Sequence, residues 1–155
     1  MPIPQKVIKF IGNQKYEEVK HKTVFTAYDK AATLKVPQKM VGKTLVVRLD
    51  SGLGLALIPA NRNLDKNKLK KAAGAKKADF ASETIIRNRL KGVKLGSIPP
   101  FGAIWKIPTF VDNSLLKSPK VIVNSGDYAF SLKISGAGLK KLVPDLVKGS
   151  FGKAR

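Results

Sequence analysis

One lysine breaks the pattern of its strand. In Lys43-Thr44-Leu45-Val46-Val47-Arg48-Leu49 the side chains of an extended chain alternate, so Lys43 shares a face with Leu45, Val47 and Leu49. A lysine beside apolar neighbours either snorkels to water at the strand's end or aims its ammonium into a polar pocket. In the second case it can bind a carbonyl, a phosphate or a developing oxyanion. A second candidate is the loop Gly96-Ser97-Ile98-Pro99-Pro100-Phe101-Gly102. Its glycines allow close approach of a ligand, and its two prolines remove two amide donors. The amides of Ser97, Ile98, Phe101 and Gly102 are left to face a ligand, unless the stretch is an ordinary surface turn. Asn124-Ser125-Gly126-Asp127 reads as a hairpin turn whose Asn124 or Ser125 can hydrogen-bond a substrate.

Several chemistries are excluded by residue type. There is no cysteine, so disulfides and thiolate metal sites are absent, and the lone His21 rules out sites needing two imidazoles. The common zinc arrangements are thereby excluded. His21 lacks a nucleophile at catalytic spacing and reads as structural or solvent-exposed. No serine-hydrolase, P-loop or dinucleotide motif occurs.

The charge points to a polyanion. Thirty Lys and Arg against ten Asp and Glu give a formal +20 over 155 residues, and such a field steers polyanions. Between Arg62 and Lys94 eleven basic residues face only Asp65, Asp79 and Glu83. Lys66, Lys70, Lys71, Lys76, Lys77, Arg87 and Arg89 form a candidate phosphate-binding surface, against which stands a merely solvated helix face. The N-terminal residues lack a secretory apolar region and no apolar run reaches membrane-spanning length, so we expect a cytoplasmic protein with no membrane partner.

The positioning elements follow from pattern. An N-terminal helix is expected around Val7 to Ile11, an extended stretch over Lys15 to Val24, and a helix from Tyr28 to Leu34 with Pro37 at its exit. Lys43 to Leu49 and Leu53 to Pro59 read as a hairpin turning at Ser51-Gly52, its second strand buried on both faces. Leu64 to Ala73 reads as a helix with Leu69, Ala72 and Ala73 inward, and Ser82 caps another running to about Leu90. Gly92 to Gly102 is loop, Ile107 to Val111 a strand, and Asp112-Asn113-Ser114 turn or cap chemistry. Val121 to Val123 is a short buried strand, and Tyr128 to Ile134 alternates cleanly. Gly138 to Val147 reads as a closing helix ended or kinked by Pro144. Strands outnumber scattered helices, which argues for an α+β class: one compact domain, a mixed curled sheet or barrel with peripheral helices. Residues 1–147 would form that domain and 148–155 a mobile basic tail.

In this order, Lys43-Thr44-Leu45, Gly96 to Gly102, Val111-Asp112 and Asn124-Ser125-Gly126, with Thr23-Val24-Phe25-Thr26 ahead of the helix, the chain resembles the YbaK/prolyl-tRNA editing family from about His21 to Leu142. The resemblance implies a YbaK-like fold and hydrolysis of the ester joining a wrong amino acid to tRNA, of the Cys- or Ala-tRNA(Pro) type. It gives Lys43 and Gly96 the catalytic places and implies that no metal and no cofactor is needed. Phe25, Ser97, Ile98, Pro99, Pro100, Phe101, Gly102, Asp112, Asn124 and Gly126 would contact the aminoacyl group, with mischarged tRNA as partner and an aminoacyl-tRNA synthetase as a second. The competing reading is a non-catalytic tRNA- or RNA-binding module on the same fold. A third is a small-ligand regulatory domain using the pocket alone.

Overall fold

The hairpin that carries Lys43 organises the molecule. In a computed structural model describing residues 3–50 and 52–155, β2 (Gly42–Leu49) pairs antiparallel with β3 (Gly52–Pro59), Lys43 opposite Ile58. Asp50 takes a positive φ of 47° at the turn; the Ser51 half of the expected Ser51-Gly52 turn lies outside the described residues, and Gly52 opens β3. From Leu53 to Pro59 every β3 residue is buried, as its unbroken apolar run requires.

Around the hairpin, β5 (Ala78–Phe80) pairs antiparallel with the far end of β2. On the other side β6 (Thr109–Asp112) runs parallel to β3, and β9 (Val147–Gly149) parallel to β6. The order is β5-β2-β3-β6-β9. A second sheet, β1-β8-β7, joins β1 (Glu17–Lys20), β8 (Phe130–Ile134) and β7 (Val121–Asn124), all antiparallel. Among the described residues its backbone pairing to the first is one parallel bridge, Val41 to Ile122, while Leu57 and Val111 pack with Val121, Val123 and Leu132 in one core cluster. A two-stranded piece pairs β4 (Arg62–Leu64) with β10 (Gly152–Ala154). The fold is the expected mixture of α and β, but its sheets stay open: the order ends at β5 and β9, and among the described residues nothing closes a barrel.

The helices cover these sheets. The first, α1 (Gln5–Ile11), buries Val7 and Ile11. The second, α2 (Ala27–Leu34), is capped by Thr26, whose hydroxyl accepts from the Asp29 amide. The third, α3 (Lys66–Ala73), starts later than expected. Leu64 belongs to β4, and Asp65 caps the helix by accepting from Asn67 and Lys68. It buries Leu69 and half-buries Ala73, while Ala72 faces water. Ser82 caps α4 (Glu83–Arg89) as expected.

The C-terminal expectation fails. Helix α6 (Gly136–Leu142) ends before Pro144, and Val147 opens β9 instead of closing a helix. The expected mobile tail at 148–155 is built into the sheets through β9 and β10, with Phe151 1% exposed in a cluster with Phe110, Leu64 and Leu69. Asp112 binds it: Oδ2 accepts from the amides of Phe151 (2.9 Å) and Gly152 (3.1 Å). The other oxygen accepts from the Ser114 amide and hydroxyl, capping the short α5 (Asn113–Leu116). A buried aromatic with its backbone donors satisfied outweighs the basic composition that suggested a solvated tail.

Candidate functional site

A gap in the sheet makes the site. β2 and β7 touch at Val41–Ile122 and pair no further, and β5 joins β2 only from Val47 on, with the Ala81 amide donating to Val46. Between those points the outer edge of β2 has no strand partner among the described residues. A cleft of about 210 Å³ opens there. It is lined by Lys43, Thr44 and Leu45 from the open edge, Gly96 and Ser97 from the loop, and Asn124, Asp127 and Tyr128 from the β7–β8 turn; residues 24–27 and Lys30 complete it. Because the cleft sits at an edge, it takes neighbours from both faces of β2. Strand alternation therefore described the direction of Lys43 incompletely.

Lys43 is half-buried and has no hydrogen-bond or ion-pair partner among the described residues. Burial pushes its pKa down, and the Arg155 guanidinium pushes it further the same way. Arg155 itself lies over the Tyr28 ring and donates to the Ala60 carbonyl. The acid in the cleft, Asp127, is already paired: its carboxylate meets Lys94 Nζ at 2.6 Å and accepts from the Ala129 amide at 3.0 Å. Burial works against its charged form, yet the Lys94 contact and the backbone bond hold its pKa below the usual carboxylate value. The cleft thus carries an excess of positive charge.

The 96–102 loop splits in two. Gly96, at φ +83°, turns the chain so that Gly96 and Ser97 reach the cleft. The rest turns inward. Ile98 is 3% and Phe101 0% exposed, Phe101 stacks on Phe10 at 5.0 Å, and Pro99 and Pro100 are buried. Gly102 is held so closely that a Cβ there would clash with the Ile107 carbonyl oxygen. The expectation of free amides is corrected at two positions: Ser97 N–H donates to Lys94 O (3.0 Å) and Gly102 N–H to Thr109 Oγ1 (2.9 Å).

The remaining expected contacts divide in the same way. Phe25, 64% exposed, stands at the cleft's rim, edge-on to Tyr128 at 4.9 Å, and Asn124 lines the cleft. Gly126 is buried behind it against Pro4 and Val93. Asp112 is spent on α5 and the C-terminal strands and lies outside the cleft lining. His21 bridges Lys22 O and Ser131 Oγ, each at 2.8 Å, in the structural place expected of it. Of the basic set, Lys71, Lys76, Lys77, Arg87 and Arg89 are exposed and Lys70 is half-buried. Lys66 is tied to Asp79 at 2.7 Å and lies over Phe80, and Arg87 reaches Glu83 at 3.7 Å.

Sequence reasoning missed Lys30. It lies on α2, is 4% exposed, and donates from Nζ to Asn124 Oδ1 at 2.7 Å. Burial lowers its pKa to about 8. Its signal was present: Ala27, Lys30, Ala31 and Leu34 stand at i, i+3, i+4 and i+7, the inward face of an amphipathic helix. Asn124 passes the bond on, donating from Nδ2 to Ile98 O at 3.2 Å.

The geometry is that of a small, positively charged cleft at the open edge of a mixed α and β fold. The model of the aminoacyl-tRNA editing domain matches residues 21–142, and the chain belongs to that family. The match falls on the stretch over which the motifs showed their resemblance. Over 117 residues the chain is 34% identical to a proline–tRNA ligase of Fervidobacterium nodosum, covering 74% of this chain but only 20% of the ligase. Over 130 residues it is 26% identical to EbsC of Enterococcus faecalis, a candidate Cys-tRNA(Pro)/Cys-tRNA(Cys) deacylase, covering 83% of this chain and 79% of that protein. Among solved structures, a hypothetical protein superposes with TM-score 0.85 at 24% identity, covering 96% of this chain and all of the other (100%). A candidate trans-editing enzyme for prolyl-tRNA synthetase superposes with TM-score 0.83 at 21% identity, covering 97% and 94%. At such identities these two speak for the fold.

Proposed function

We propose that this protein is a trans-editing deacylase that hydrolyses the ester of a mischarged tRNA, with Lys43 as its catalytic cation. The observation that carries this reading is the unpartnered Lys43 in a cleft shared with Gly96 and Ser97, in a chain of the editing-domain family. The reaction is modest: water adds to the ester carbonyl, the tetrahedral oxyanion collapses, and the terminal ribose hydroxyl leaves with a proton. An activated ester needs chiefly positioning and a fixed positive charge where the oxyanion forms. Lys43 supplies the charge, and the turn at Gly96 lets the loop backbone approach the acyl group. Only the ammonium form serves, so the enzymatic rate above background falls as pH rises through the lowered pKa of Lys43.

The exposed cations at Lys71, Lys76, Lys77, Arg87 and Arg89, with the half-buried Lys70 and Lys66, offer the tRNA backbone a surface outside the cleft. A tRNA for proline is the acceptor we infer from EbsC, named as a Cys-tRNA(Pro) deacylase, and from the structure named as a trans-editing enzyme for prolyl-tRNA synthetase, with cysteine or alanine as the amino acids the family suggests and a prolyl-tRNA synthetase as the natural partner. A deacylation screen over mischarged tRNAs tests the reading: at least one ester is cleaved well above its spontaneous rate. If every ester survives while tRNA still binds in a salt-sensitive way, the chain is a non-catalytic RNA-binding module.

A further inference from the structure

A buried lysine in the cleft has more donors than partners. Lys30 is 4% exposed, and its ammonium carries three donors, one of which is taken by Asn124 Oδ1. The Asn124 amide is fixed at both ends, by Lys30 and by the Ile98 carbonyl, so its orientation follows from its bonds. No carboxylate pairs with Lys30 among the described residues, and the acid in the same cleft, Asp127, is engaged with Lys94. Across the same cleft, Thr44 from β2 also lines it, and its Oγ1 is buried with no hydrogen-bond partner among the described residues. Buried polar groups left short of partners are costly, and two lining one cleft mark a place where a ligand's polar atom completes the set.

We propose that Lys30, with Thr44, reads the amino acid side chain of the ester, so that the cleft prefers an acyl group bearing an oxygen acceptor, hydroxyl or carboxylate, over one ending in a methyl or a thiol. This rests on the deacylase reading and departs from the cysteine or alanine that its relatives suggest. The alternative oxygen ligand is a tRNA phosphate, and depth decides against it. A polymer chain must stay in solvent at the mouth, where Phe25 and the half-buried Lys43 stand, and only the small acyl end reaches a group as enclosed as Lys30. A site built around a buried donor rejects the analogue lacking the acceptor far more strongly than an apolar pocket rejects a change of one methylene.

The test uses one tRNA body charged with serine, aspartate, alanine or cysteine, under single-turnover conditions. The wild-type protein cleaves the seryl or the aspartyl ester at least tenfold faster than the alanyl and cysteinyl esters. Aspartyl ahead of seryl shows that Lys30 reads charge, and seryl ahead of aspartyl that it reads a hydroxyl. Lys30→Met lowers the rate on the favoured ester at least tenfold more than the alanyl rate, whereas Lys30→Arg keeps the ranking. A preference for alanyl or cysteinyl ester, or an unchanged ranking in Lys30→Met, overturns the proposal. Binding separates this failure from failure of the deacylase reading. 3′-Seryl- or 3′-aspartylamino-3′-deoxyadenosine, which cannot be hydrolysed by this route, binds the wild-type protein at least tenfold tighter than the alanyl counterpart. Equal affinities overturn the proposal even if every ester is cleaved, and a tenfold contrast supports it even if none is.

Discussion

Two buried charges in this molecule are treated in opposite ways. Asp112 is surrounded by donors: two backbone amides from the C-terminal segment and the amide and hydroxyl of Ser114. Burial alone would raise its pKa, yet these bonds hold it below the usual carboxylate value. Lys30 has one neutral partner, and burial lowers its pKa to about 8. The first charge is completed by the fold and serves it, tying β6, α5 and the last strands together. The second is left incomplete, in a cleft that also holds, among the described residues, an unpartnered hydroxyl and a lysine without a counter-ion. Satisfaction, more than burial, separates a structural charge from one kept for a ligand.

The comparison can be broken by mutation, beginning at the structural end. Phe151→Ala empties the pocket that anchors the C-terminal strands and should cost about 3–5 kcal/mol, read as a fall in the chemical-denaturation midpoint. Asp112→Ala leaves the buried Phe151 amide and the half-buried Gly152 amide without an acceptor and should cost about 2–3 kcal/mol. If either variant melts like the wild type, the C-terminal segment is not the structural tie described here.

At the cleft end the sign reverses. Between pH 8 and 10.5 the unfolded chain holds the Lys30 proton while the folded chain has released it, so the wild type gains stability as pH climbs through that window. Below about pH 8 both states are protonated and the fold bears the burial of the charge. Lys30→Met should therefore be more stable than wild type at pH 7, by about 1 kcal/mol after the loss of the Asn124 bond. The advantage shrinks toward pH 10, and thermal melts at pH 6, 7, 9 and 10 follow it. A Lys30→Met protein less stable at every pH would place Lys30 with Asp112. Smallest in stability, Lys70, Lys71, Lys76 and Lys77 changed together to Gln should shift stability by under about 0.5 kcal/mol per site. The same change should weaken tRNA binding and flatten its salt dependence; binding unaffected by the four changes would remove this face from the interface.

Most of the frame was legible in sequence because its signals are local. The unbroken apolar run of β3, the cap at Ser82 and the alternation of β8 each report their own environment. The C-terminal strands were not, since Val147-Lys-Gly and Gly152-Lys-Ala have no pattern of their own and are held by Asp112 and Phe151 from a distance. The loop's motif was visible, but its division was not. Ile98 and Phe101 leave the cleft because the core takes them, which residue types in a Gly-Pro stretch do not reveal. Lys43 stood out by strand alternation, although its true setting is an edge that two neighbouring strands leave uncovered. Lys30 was hidden among many surface lysines, its helical position the single clue.

The account turns on Lys43 as the cation of the cleft. The direct measurement is single-turnover hydrolysis of the best ester from the screen by Lys43→Ala beside wild type, with thermal melts of both. The expected result is a loss of about 100-fold or more, the scale of removing one oxyanion-stabilising group, with the melting temperature little changed. Wild-type rates in a folded Lys43→Ala protein would contradict it.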